Sequence, residues 1–183
     1  MAGVTTVQNT RLVTAGLTAT VVAGVWVVRV GARLPGGHAG PRAAVMLQST
    51  RALGIAALLL ACAALPLGLV VGRRLFFTGA QRIHVRAAHR VVALGALTAT
   101  ALHLATLFAT STLAPTVADL VVPFLWDNRT IGTALGVLAT WAFVLLGLSY
   151  YQRRRIGAAG WRVAHRFIAL GLAFAIVHTI AGG

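Results

Sequence analysis

The sequence predicts an all-α integral membrane protein, a bundle of about five transmembrane helices, and three observations predict it. Charged residues make up 10% of the chain, against roughly 25% in a soluble domain. With 58% of residues hydrophobic, such a chain cannot cover itself for water. Five apolar stretches of about spanning length lie between arginines. None alternates polar with apolar residues, which excludes a β-barrel. At 183 residues the chain reads as a single domain, 1–183.

The first span is expected at about 12–31, with its apolar run Leu12 to Val28 between Arg11 and Arg29. Val30-Gly31-Ala32 loosely resembles a signal cleavage site, but the apolar stretch is longer than a signal h-region and only Arg11 precedes it. A retained helix is the better reading. The second span is expected at 52–72, ahead of Arg73 and Arg74, and the third at 87–110. The fourth covers 131–151 and the fifth 160–180. Leu34 to Ser49, with Pro35, Gly36, Gly37, Gly40 and Pro41, reads as a connector of turn residues. In the segment Pro115 to Arg129, the apolar stretch Leu120 to Trp126 is too short to span and is expected at the interface.

All 16 basic residues are Arg, and Asp119 and Asp127 are the only acids, giving a net charge of +14. That charge would suit nucleic acid if the arginines formed one solvated face. Instead they cluster between apolar runs, as topology signals do. No carboxylate pair serves acid–base hydrolysis, and the lone Cys62 excludes a disulfide framework or thiolate cluster. Arg73, Arg74, Arg82, Arg86 and Arg90 form one basic group, and Arg153, Arg154, Arg155, Arg162 and Arg166 a second. With Arg11 they outnumber Arg29, Arg33, Arg42, Arg51 and Arg129, so the richer side is expected in the cytoplasm. This predicts a multi-pass cell-membrane protein with the N-terminus inside and the C-terminus outside.

The chemistry lies in a repeat. Residues 86–95 align without gaps to residues 162–171, with seven of ten positions identical. Each copy carries a histidine, His89 or His165, and each continues as apolar helix to a second, His103 or His178. Ionisable groups inside a span are functional by default, because hydrocarbon offers them no partner. The two histidines of each helix stand roughly 20 Å apart along its axis. The helices run in the same direction, so His89 is level with His165 and His103 with His178. Zinc needs about four ligands at one point, whereas a haem iron takes one axial ligand from each side. Two b-type haems, stacked across the membrane, use all four residues. One detail strains this reading: fourteen residues separate His89 from His103, but thirteen separate His165 from His178. On an ideal helix thirteen residues leave the second histidine about 140° from the first, so the fifth helix must be tilted or distorted, or its haems must be approached from different sides.

These residues resemble the ferric reductase-like transmembrane family, which includes the membrane haem domains of NADPH oxidases and the haem subunit of the bacterial periplasmic methionine sulfoxide reductase system. The resemblance spans about residues 80–181. It is carried by His89-Arg90 with His103, by Val122-Pro123-Phe124, and by Trp161-Arg162 leading into His165-Arg166 and His178. It implies that His89 and His165 ligate an inner haem b and His103 and His178 an outer one, carrying electrons across the bilayer. Family members usually have a sixth helix, and the oxidases add a flavin and nicotinamide domain. This sequence has no Gly-rich dinucleotide fingerprint. Electrons are therefore expected from a cytoplasmic flavin or NAD(P)H-dependent reductase, with any flavin held by that partner, and are expected to pass to an acceptor at the outer face. The chain reads as an electron-transfer subunit more than a complete enzyme, with no catalytic residue assigned.

Arg86, Arg90, Arg162 and Arg166 flank the inner pair and are candidate contacts for haem propionates, since guanidinium binds carboxylate through two parallel hydrogen bonds; their alternative role is topology. Gly95 and Gly171, six residues after a ligand, either let helices approach or leave clearance for a macrocycle. His84 and His38 read as solvated, Trp161 and Trp126 as interfacial anchors, and Trp26 and Trp141 as packing. Two other readings compete: a quinol-linked cytochrome b, and a haem-free bundle acting as a transporter with a histidine proton relay or as a scaffold.

Overall fold

The computed structural model describes residues 41–73, 78–110, 113–127 and 129–182. The expected first span, with Trp26, and His38 in the connector lie outside the described residues. Among the described residues every regular element is a helix: α1 (Pro41–Arg73), α2 (Gly79–Phe108), α3 (Val117–Val121), α4 (Thr130–Ile156), α5 (Ala158–Arg166) and α6 (Ile168–Gly182). Four stretches are long and apolar enough to cross a membrane: Ala43–Gly72, Gln81–Phe108, Thr130–Ile156 and Ala158–Ala181. The chain divides into two compact units, one ending at His103 and the other beginning at Leu104.

In the first unit α1 starts earlier than the Gly/Pro-rich sequence suggests, so residues 41–49 are helix rather than connector. Pro41 is the first residue of that helix, a position where a missing N–H costs nothing and a fixed φ helps. Helix α2 also starts early. Its first turn is tied by Gln81, whose Oε1 accepts the backbone N–H of Thr78 at 3.0 Å, half of a capping box. Arg82 and Arg86, which precede the expected start of this span at 87, are therefore helical.

In the second unit α3 is a short helix with a complete capping box between Thr116 and Asp119. Its last residue, Val121, accepts a 2.8 Å hydrogen bond from the indole Nε1 of Trp141, just short of the middle of α4. Trp141 is thus a clasp between elements and not buried packing; it is 38% exposed. Helix α4 keeps Arg153, Arg154 and Arg155 in its last turn, where they complement the negative end of the helix dipole. Gly157 then makes the corner into α5 with one residue. Its φ of 77° is in the region that L side chains avoid, which is why glycine stands there.

Helices α5 and α6 are one apolar stretch broken at Phe167. The bonds Phe167 N–H to Ala164 O and Leu170 N–H to Phe167 O, both 3.0 Å, are of the i→i+3 type. The chain therefore overwinds locally into 3₁₀ geometry.

Small residues fill the interior: Ala99 is 2% exposed, Ala134 1% and Ala139 4%. Small side chains let helix backbones approach closely, the usual basis of packing in a bilayer. Large apolar side chains point the other way, with Leu59 64% exposed, Leu145 60% and Ile131 71%. A surface of that kind belongs in lipid, not in water. These features define a multi-pass helical membrane protein.

Candidate functional site

All four histidines singled out by the repeat occupy equivalent settings. Each is half-buried, and each directs Nδ1 at a backbone carbonyl of the preceding long helix in its own unit. In the first unit His89 meets Ala64 O at 3.0 Å and His103 meets Thr50 O at 2.8 Å, both on α1. In the second unit His165 meets Leu146 O at 3.1 Å and His178 meets Gly132 O at 2.7 Å, both on α4.

These bonds decide the tautomer. A carbonyl oxygen only accepts, so Nδ1 must be the protonated nitrogen. In a neutral imidazole the lone pair is then on Nε2, at the far side of the ring from the bond. A ring anchored by Nδ1–H to a carbonyl, presenting Nε2, is the usual state of a metal-ligating histidine. The residues thus fit axial ligation of haem iron. Among the described residues no three His, Cys, Asp or Glu side chains gather as a metal cluster.

In the first unit the spacing of the acceptors matches the spacing of the rings. Ala64 and Thr50 are fourteen residues apart, as are His89 and His103. For two antiparallel helices that is the register in which both rings reach the same neighbour at the same height.

Glycines make room for the rings. A Cβ on Gly54 would come within 3.0 Å of His103 Nδ1, and one on Gly68 within 3.1 Å of His89 Cε1. On Gly136 it would come within 2.7 Å of His178 Nδ1, closer than real Cβ atoms come. His165 differs: Trp161, one turn earlier on α5, lies against its ring with centroids 5.2 Å apart and planes 28° apart. Trp161 in turn meets Tyr150 edge-on at 5.7 Å. The residue expected as an interfacial anchor therefore braces a candidate ligand.

Gly171 sits where its Cβ would be 2.7 Å from that of Ala142, so it serves the approach of α6 to α4. Gly95 has only ordinary contact room, with Leu60 at 3.6 Å. The side chains of Arg86, Arg90, Arg162 and Arg166 are exposed. His84 is exposed, and Trp126 is half-buried.

Two buried donors were not singled out by the sequence. Arg82 Nε and Trp161 Nε1 have no hydrogen-bond partner among the described residues. Arg82 is seven residues before His89 and so on the same face of α2, within about 20°. A buried donor left unmet is costly, and a carboxylate beside either group would meet it.

No family model, no curated protein and no solved structure matches this chain.

Proposed function

We propose that this protein is a transmembrane di-haem b-type cytochrome of the ferric reductase-like kind. It takes electrons from a flavin or NAD(P)H-linked donor on the cytoplasmic side and passes them to an acceptor at the outer face. His89 and His165 hold the inner haem, and His103 and His178 the outer one. The observation that carries this reading is the shared Nδ1–H···O=C anchor of the four rings, which makes Nε2 the lone-pair nitrogen of each neutral ring.

Bound haem supplies reversible one-electron chemistry, tuned by its axial ligands and by burial. The chain's own contribution is to fix ring tautomer and height, to exclude water, and to surround the site with apolar helix. Arg82 and Trp161, each with a buried donor that lacks a partner among the described residues, are suited to a propionate; Arg86, Arg90, Arg162 and Arg166 are further candidates. The Arg asymmetry orients the chain with the Arg73–Arg90 and Arg153–Arg166 regions in the cytoplasm.

A histidine bonded to a neighbouring carbonyl also serves as simple glue between helices. Glue does not require a ring-to-carbonyl anchor to recur at two heights in each unit, and ligation of two haems does. A reduced-minus-oxidised visible spectrum of the purified protein separates the two. Sharp b-type bands support the cytochrome, and a colourless preparation from haem-replete cells rules it out.

A further inference from the structure

We propose that Gly54, Gly68 and Gly136 are positioning residues, each seating one histidine ring, and that each acts on one haem only. The proposal rests on the haem-ligand reading above, and it assigns to these glycines a task distinct from helix packing.

The three share one geometry. Each stands four residues after the carbonyl that its histidine bonds: Gly54 after Thr50, Gly68 after Ala64 and Gly136 after Gly132. In an α-helix a carbonyl points at the N–H of the residue four on. It has a second lone pair, and the ring hydrogen bond uses it. Side chains tilt back towards the helix N-terminus, so the Cβ at that fourth residue would stand beside this second lone pair. Glycine leaves the approach widest. At the three glycines an added Cβ would stand 2.7–3.1 Å from the ring, so the ring or the helices must shift to admit it.

The fourth histidine supplies the comparison. Four residues after Leu146 stands Tyr150, not glycine, and the bond from His165 is the longest of the four at 3.1 Å. There Trp161 stacks on the ring and steadies it by its face. Gly72, on the same helix as Gly54 and Gly68, has nothing within 4 Å of its would-be Cβ and is the internal control.

The distances set an order of severity. Gly136→Ala meets Nδ1 at 2.7 Å, Gly54→Ala at 3.0 Å, and Gly68→Ala touches Cε1 at 3.1 Å with Nδ1 at 3.4 Å. Losing the partner that orients a ligand lowers affinity for the bound metal group by about 10- to 100-fold. Gly136→Ala is expected at the upper end of that range and Gly68→Ala at or below the lower.

The test is a redox titration with haem quantification on four purified full-length variants beside the wild type. Wild type should show two transitions. Gly54→Ala and Gly136→Ala should move or remove the same transition, since His103 and His178 share the outer haem. Gly68→Ala should move the other, and Gly72→Ala neither. If Gly136→Ala fails to accumulate, Gly54→Ala reports on the same haem with a milder clash. Two intact transitions in all four variants would overturn the proposal, as would equal disturbance of both transitions by each of the three seat variants. A wild type without haem would instead overturn the reading on which it rests.

Discussion

His165 and His178 reach the same helix at matching heights although they are thirteen residues apart. Their acceptors on α4, Leu146 and Gly132, are fourteen apart. The turn at Phe167 supplies the difference. Each 3₁₀ residue rises about 0.5 Å more and turns about 20° further than an α-helical one. Three to five such residues make thirteen do the work of fourteen in both height and direction. The i→i+3 bonds from Ala164 through Phe167 to Leu170 enclose residues 165–169, a segment of that size.

An insertion experiment follows from that compensation. One alanine added after Phe167 lets the segment relax to plain α-helix with fourteen residues between the ligands, so both histidines should keep their anchors. The same insertion after Ala96 in α2 should not be tolerated. There the spacing is already fourteen, and one more residue swings His103 by about 100°. Haem per chain should stay near two in the first variant and fall to about one in the second. The opposite result would mean that the turn at Phe167 has another cause.

Arg129 ties one end of the second unit. Its Nη1 donates to Ala181 O at 3.2 Å, at the C-terminal end of α6 and three residues beyond His178. A cation there satisfies a terminal carbonyl and complements the helix dipole. Arg129→Ala should speed amide hydrogen exchange in the last turn of α6 by roughly two- to fivefold, as expected from losing a terminal charge of that kind. Exchange in the middle of α4 should not change. Unaltered exchange at Thr179 to Ala181 would show that the contact contributes nothing.

Orientation has its own test. Reporter fusions at Gly79 and at Gly183 should report opposite compartments, Gly79 in the cytoplasm and Gly183 outside. Matching compartments would mean that the number of crossings between them is even.

The long apolar runs made the fold legible: each of the four described spans overlaps the stretch its sequence suggested. The ends were less legible for physical reasons. Arginine reads as a boundary, yet Arg153 to Arg155 ride on the last turn of α4, where the dipole favours them. Pro41 reads as a turn residue, yet it is also suited to open a helix. The candidate histidines were visible from the repeat, because buried histidines at matched spacing rarely recur without cause. Their seats were not. Gly54, Gly68 and Gly136 look like packing glycines until the ring is seen against each, although the fourteen-residue interval from Gly54 to Gly68 repeats that from His89 to His103. The brace of Trp161 on His165 was hidden because an aromatic residue near a span end reads first as an interfacial anchor.

The most direct test of the central claim is haem per polypeptide in the wild type and in two single variants, His89→Leu and His103→Leu. Leucine is apolar and helix-compatible, so the spans should still insert. About two haems are expected in the wild type and about one in each variant, since each substitution removes one member of one axial pair. In vesicles, His103→Leu should still take electrons from the cytoplasmic side but fail to deliver them outside, and His89→Leu should slow reduction from within. A wild type without haem, or either variant retaining two haems with full transmembrane electron transfer, would contradict that claim.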